Sequence, residues 1–408
     1  TRDGKRAKGF GSMPLGNVWG FPSKQLAYDD TLGAMKAMST KLCERTNAFG
    51  ETGHPIDLGV TLEHEYLNLA GEVSADLDLP EPIPKLATLV TASPFDAAIH
   101  DAFGKVHGVS CFATYGKDMM NRDLSAYLGD EYRGRWLGDY VSRTPKASMP
   151  LYHLVGALDP LDDDEMEAAT GDGLPDTLPE WIRYNGLSHM KIKLNGDDLE
   201  WDLNRVVKVD AVSSRAQAER GVQHWFYSLD FNERCESVEY LIEMLQRLRE
   251  ITPQGFERIQ YIEQPTARDL KAHPENRMHE AAKLKPVVID ESLTDLETLL
   301  LAREMGYTGA ALKACKGQSQ SLIMAAAIKE MEMFLCVQDL TCPGASLIHS
   351  ASMAAHIPGV AAIESNSRQY CPAANEAWRG RFPGIFEVKD GQMKTSCLDG
   401  IGLGAVAP

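Results

Sequence analysis

Eight short apolar segments punctuate the chain after residue 150, at 151–157, 187–194, 223–230, 259–263, 286–290, 309–313, 333–338 and 361–365, each of strand length. Helical periodicity fills most of the gaps, notably over 204–219, 237–250, 295–305, 319–331 and 345–355. Strands that alternate with helices call for a parallel sheet. Eight of them fit a closed (β/α)8, TIM-like barrel better than an open doubly wound sheet.

The first 140 residues have a different rhythm and read as an α+β unit. Asp29-Asp30 precedes apolar positions Leu32, Met35, Met38 and Leu42, which predicts an early helix. A second helix is expected from Ser93-Pro94, carrying Phe95, Ala98, Ile99, Ala102, Phe103 and Val106 on one face. His100 and His107 lie in it without companion ligands, so both read as structural. The stretch GFGSMPLG lacks the spacing and the strand–helix context of a phosphate or dinucleotide loop, and it reads as a turn or a mobile loop. Asp159, Asp162, Asp163, Asp164 and Glu165 crowd one connection with no ligand geometry and read as a solvated insertion.

Charge and composition exclude whole classes of function. The 408 residues carry 41 Lys+Arg against 58 Asp+Glu, a formal charge of −17, with no basic stripe to attract nucleic acid. No run approaches eighteen apolar residues, so no membrane span is expected. Eight cysteines without a CxxC motif read as reduced thiols in a cytoplasmic protein, and the opening TRDGKRAKGFGS lacks the apolar core of a signal peptide.

The charged residues that matter stand at strand ends. Lys191-Ile192-Lys193 ends the second strand, and alternation places both lysines on one face. Asp230, Glu263 and Asp290 end the third, fourth and fifth strands, Lys313 ends the sixth, and Glu364 lies near the end of the eighth. In a barrel these ends converge on one mouth. Three carboxylates from adjacent strands suit a hard cation such as Mg²⁺, with lysines on either flank to act on a substrate.

The chain resembles the enolase superfamily, specifically its mandelate racemase/muconate lactonizing enzyme group and most of all the muconate-cycloisomerase-like branch. The resemblance rests on Lys191-Ile192-Lys193, Asp230-Phe231-Asn232, Glu263-Gln264-Pro265, Asp290-Glu291-Ser292 and Leu312-Lys313, in that order. It implies an α+β capping domain over 1–140, a barrel over 141–380 and a segment over 381–408 that returns to the cap. The first residues resemble the cap's second strand, which puts its usual first strand outside this sequence. The connection from Lys193 to Asp230 is longer than in relatives.

The resemblance also implies roles. Asp230, Glu263 and Asp290 become ligands of Mg²⁺, with Mn²⁺ as a substitute, and Lys193 and Lys313 become opposed acid/base groups. Lys191 would contact a substrate carboxylate and favour deprotonation of Lys193 by its own charge. Trp19 and Phe21 would form a lid over the substrate, while Asn232, Glu364 and Asn366 would contact it at the mouth. The implied reaction removes the proton alpha to a small carboxylate through an enediolate, giving racemisation, epimerisation or cycloisomerisation. Acid-sugar dehydration is the alternative outcome, and a non-catalytic metal-stabilised binding protein the remote one. A homo-oligomer is expected from the same resemblance.

Overall fold

The computed structural model describes residues 1, 3–166 and 168–404. Its centre is a closed ring of eight parallel strands: β1 (Ser148–Val155), β2 (His189–Lys193), β3 (Phe226–Asp230), β4 (Ile259–Glu263), β5 (Val287–Ile289), β6 (Gly309–Leu312), β7 (Phe334–Val337) and β8 (Ile363–Glu364). β1 pairs in parallel with both β2 and β8, which closes the ring. All eight fall within or beside the segments read from the sequence. A ninth strand, β9 (Gln392–Lys394), adds antiparallel to the start of β1.

Helices at Leu199–Glu219, Val238–Ile251, Leu296–Glu304, Gln318–Glu330 and Ala345–His356 form the outer layer. They pack apolar faces on the strands; Leu241, Met244, Leu245 and Leu248 of the second, at spacings of three, one and three, are fully buried. Inside the ring Tyr152, Tyr261, Val288, Ala311, Cys336 and Ala362 make a separate apolar plug, with Tyr152 and Tyr261 edge to face at 5.8 Å. The barrel is therefore filled from within, and its chemistry is confined to the rim above this plug.

The N-terminal region differs from expectation. It consists of α1 (Asn17–Gly20), α2 (Tyr28–Ala48), α3 (Pro55–Asp76) and α4 (Lys85–His107), and among the described residues no strand precedes Ser148. The extended segment that looked like a cap strand lies along α4, which offers no strand edge: Phe10 N–H donates to Asp101 Oδ2 at 2.8 Å. A Cβ on Gly9 would sit 1.7 Å from the Ala98 carbonyl oxygen, and one on Gly11 1.9 Å from that of Pro94. GFGSMPLG is thus neither turn nor loose loop but a close-packed seam.

α3 escaped the sequence reading, although Ile56, Leu62, Tyr66, Ala70 and Val73 are all buried. α4 starts eight residues before Ser93, and Pro94 lies inside it. Proline cannot donate to the Val90 carbonyl, and the Ser93 hydroxyl does so instead at 2.9 Å. That local repair lets the helix run on.

The cap is tied to the barrel by buried polar contacts. His100 bonds Ser319 Oγ at 2.8 Å and the Tyr115 hydroxyl at 2.9 Å, a structural role as expected, and Asp96 accepts from Ser319 N–H at 2.8 Å. The C-terminal segment returns to the end of α4: Cys111 N–H donates to the Gly402 carbonyl at 2.7 Å, and Leu403 N–H to Asp101 Oδ1 at 3.0 Å. Residues 405–408 of that segment lie outside the described residues. The acidic connection is exposed, yet Asp162 and Glu165 bond Arg215 and Lys208 of the adjoining helix. All eight cysteines are free, and among the described residues no helix is long and apolar enough to cross a membrane.

The Gly11 contact gives a direct check. Gly11→Ala should lower the unfolding free energy by about 1–3 kcal/mol, the usual range for overpacking, read by urea denaturation; unchanged stability would show that the seam can move aside.

Candidate active site

Strand register assembles the rim. Lys193 lies opposite Asp230, and Asp230 opposite Glu263, so the ends of β2, β3 and β4 present their charges side by side. Lys191 is one layer deeper and only 1% exposed. Its Nζ stands 2.7 Å from Glu263 Oε1, 3.0 Å from Asp230 Oδ2, 3.3 Å from Glu364 Oε2 and 3.1 Å from Gln338 Oε1. Burial pushes this ammonium down, but Asp230, Glu263 and Glu364 outweigh it and hold Lys191 well above the ordinary lysine value.

Lys193 Nζ lies 2.5 Å from Asp230 Oδ2 and 2.7 Å from Asn232 Oδ1. Across the ring Lys313 Nζ lies 2.7 Å from Asp290 Oδ2, while Lys316 Nζ donates to the Asp290 main-chain oxygen at 2.5 Å and stands 3.1 Å from Oδ1. Burial works against the charge on Lys313 as well. Asp290, Glu291 and Glu263 reverse that and raise it above its ordinary value.

Among the described residues no group of three or more His, Cys, Asp or Glu side chains stands together as a ready-made cation site. Lys191 and Lys193 ion-pair with Asp230, while Lys313 and Lys316 ion-pair with Asp290. The donor set nonetheless fits a hard divalent ion. Asp290 Oδ2 is buried and has no aligned hydrogen bond despite its ion pair. Glu263 is raised well above its ordinary value by burial and then by the charge of Asp230. A cation among these oxygens would relieve both.

Side chains that sequence order did not single out position the ligands. Gln264, at φ +30°, turns its amide oxygen onto the N–H groups of Asp290 (3.0 Å) and Ser292 (3.2 Å), locking the end of β5 to that of β4. Gln338, from the end of β7, donates to Glu263 Oε2 at 2.7 Å and to the Tyr261 hydroxyl at 2.6 Å. Glu291 accepts from the Trp19 indole N–H at 2.9 Å and from Asn232 Nδ2 at 3.1 Å. Arg268 forks onto Glu233 and donates to the Trp19 carbonyl at 3.0 Å. The Glu263-Gln264-Pro265 and Asp290-Glu291-Ser292 signatures, and Gln338-Asp339 near the end of the seventh strand, pointed to three of these; Arg268 had no such signal.

A cavity of about 1040 Å³ opens between rim and cap. Lys191, Lys193, Lys313, Asn232, Glu364 and Asn366 line its barrel side, and Trp19 lines its cap side with Leu15, Val18 and Leu32. The Trp19 ring centroid is 4.1 Å from Lys313 Nζ, a cation–π contact. Asn366 donates to Glu364 Oε1 at 2.8 Å, so the two β8 residues act as a pair. Phe21 is the exception. It is 1% exposed and packs with Met35, Met38 and Val90 in the core of the cap, because the chain turns inward directly after α1. It belongs to the support of the lid and not to the cavity wall.

A barrel with charges gathered at one rim beneath a helical cap defines a broad class of protein, and comparison narrows it. The family described as enolase C-terminal domain-like matches residues 174–407, more than half of the chain, and the chain belongs to it. Among solved structures, a member of the enolase superfamily from Roseovarius nubinhibens ISM, complexed with magnesium, is similar over 96% of this chain and 82% of that one, with 16% identity and a TM-score of 0.56. A dipeptide epimerase from Cytophaga hutchinsonii is similar over 84% and 73% (16% identity, TM-score 0.53), and a muconate lactonizing enzyme from Klebsiella pneumoniae over 82% and 75% (15%, 0.51). No curated protein matched the chain by sequence. At these identities the structural likeness concerns the fold, and it singles out no branch of the superfamily.

Gln264 offers a test of how the rim is held. Gln264→Leu would orphan two buried N–H groups and should lower stability by about 2–6 kcal/mol, at 1–3 per unsatisfied group. Urea denaturation reads this, and a loss below about 1 kcal/mol would mean that other contacts fix the end of β5.

Proposed function

We propose that this protein is a Mg²⁺-dependent enzyme that removes the proton alpha to a carboxylate and completes a racemisation, epimerisation or cycloisomerisation. The observation that carries the reading is the placement of two lysines on one cavity from opposite sides of the ring. Lys193 comes from β2 and Lys313 from β6, four strands apart in a closed ring of eight. Such a pair can take a proton from one face of a bound carbon and return one to the other.

Asp230, Glu263 and Asp290 are the residues that would hold the cation. When bound, Mg²⁺ supplies positive charge against the enediolate that follows loss of the α-proton. Each candidate base is now ion-paired with one of these acids, Lys193 with Asp230 and Lys313 with Asp290. Engagement of the acids and release of the bases are therefore linked. Lys191 stands among Asp230, Glu263 and Glu364, where it can meet a substrate carboxylate and add positive charge beside Lys193. Asn232, Glu364 and Asn366 offer polar contacts for orientation. Trp19, braced by Glu291 and Arg268, covers Lys313 and excludes water from it.

The cap side favours an isomerase of an apolar acid over dehydration of an acid sugar. Leu15, Val18, Trp19, Pro22 and Leu32 make up most of the cap-side lining against polar Asn17 and Tyr28, where a chain of hydroxyls would want more donors and acceptors.

Incubation with Mg²⁺ in D₂O, across N-acyl amino acids, dipeptides and lactone acids, should give deuterium uptake at the α-carbon. Unchanged connectivity would mark racemase or epimerase chemistry, and a ring change cycloisomerase chemistry. Lys313→Met should lower exchange from one stereochemical face by at least ~100-fold while calorimetry shows Mg²⁺ still bound. Undiminished exchange at both faces would remove Lys313 from its role. Glu263→Gln should weaken Mg²⁺ binding and turnover together, and normal affinity there would sink the ligand assignment.

A further inference from the structure

A second cavity of about 310 Å³ lies between the helix Leu178–Asn185 and the segment that follows β8, and it shares no lining residue with the cavity at the rim. Arg368 lines it and is 7% exposed. Its guanidinium donates to the Phe386 carbonyl at 2.9 Å and to Asn185 Oδ1 at 3.2 Å, both neutral acceptors. Nη1 is buried with no partner, and no carboxylate among the described residues forms an ion pair with this side chain. Arg379 lines the same cavity; among the described residues its ion pair is a long one to Glu376 at 3.4 Å, and its Nε is likewise buried without a partner there.

A buried cation without a counter-ion is costly, and two like charges on one cavity make it costlier. Burial, and after it the neighbouring charge of Arg379, pull Arg368 down to about 10 against the opposing influence of Tyr184. Buried charges persist in folded proteins where something pairs them. The remaining walls include Trp181 and Tyr184, edge to face at 5.9 Å, and Phe386, which offer flat apolar surface beside the free donors, together with the exposed side chains of Glu387 and Lys389, whose opposite charges offset each other.

We infer that this cavity binds a small organic anion, a carboxylate or phosphate carried on a flat or apolar body, through the free donors of Arg368 and Arg379. The inference is independent of the chemistry proposed at the rim. The planar fork of arginine matches either anion and gives its strongest hydrogen bonds to them. Phosphate and carboxylate share that recognition, and the aromatic wall separates them in a test, since benzoate can use it and inorganic phosphate cannot.

The experiment is calorimetric titration of the full chain with inorganic phosphate and with benzoate, at ionic strength held constant with chloride. Wild type should bind at least one of the two: benzoate alone if the wall contributes, both if the arginines suffice. Arg379→Gln, at a half-exposed position that the fold tolerates, should weaken binding about tenfold, the loss expected for one charge-assisted hydrogen bond. Arg368→Lys, which keeps the charge but removes the fork, should weaken it similarly, and neither variant should change α-proton exchange. Failure of both anions to bind wild type would overturn the inference, as would wild-type affinity in both variants. A change of oligomer size in Arg379→Gln with anion binding intact would overturn it too, assigning the cavity to a second copy.

Discussion

Closure of the strand ring is the constraint from which the rest of this protein follows. With β1 paired to both β2 and β8, and helices carrying the chain back between strands so that all eight run parallel, the C-terminal ends of the ring gather at one rim. Charges far apart in sequence are then forced together: Lys191 stands 2.7 Å from Glu263, 72 residues on, and 3.3 Å from Glu364, 173 residues on. An open sheet would leave β1 and β8 at unrelated edges, and Glu364 could not reach Lys191. The apolar plug of Tyr152 and Tyr261 completes the arrangement by filling the interior, which leaves the rim as the place where polar side chains can converge.

Legibility in the sequence tracked distance from this rule. The eight strands announced themselves because each is a short apolar run bounded by helix or turn residues, and the strand-end charges follow from where those runs stop. Gln338 and Gln264 stood at visible strand ends, but what they hold did not announce itself. Each acts through a partner on a neighbouring strand, and such a partnership depends on register, which no local pattern encodes. α3 was missed because its apolar stripe is diluted by Gly59, Glu63, His64 and Glu65. The cap strands expected over the first residues failed for the opposite reason: extended sequence alone does not make a strand, and the neighbour of this segment is the carbonyl-bearing surface of α4.

Trp19 and Phe21 show how fine the distinction can be. Two residues apart and alike in chemistry, they diverge because α1 ends between them and the backbone turns. Trp19 faces the rim and donates to Glu291, whereas Phe21 enters the cap core. The lid is therefore anchored at both ends of one short stretch. Arg268 grips the Trp19 carbonyl from the barrel while Phe21 grips the helices behind it. Position over Lys313 is thus determined by barrel and cap jointly, and neither alone would hold the indole there.

The charge balance of the rim carries the argument for a divalent ion beyond the identity of the ligands. Asp230, Glu263, Asp290, Glu291, Asp339 and Glu364 contribute six buried carboxyl groups, against four ammonium groups from Lys191, Lys193, Lys313 and Lys316. Arg268 and Glu233 cancel each other beside them. With every group ionised the rim lacks two positive charges. Burial first, and then a neighbouring carboxylate, raise Glu263, Glu291 and Asp339 above their ordinary values. A divalent ion would supply the missing charge at once. Lys193 and Lys313, the counter-ions of Asp230 and Asp290, would then be relieved of that role.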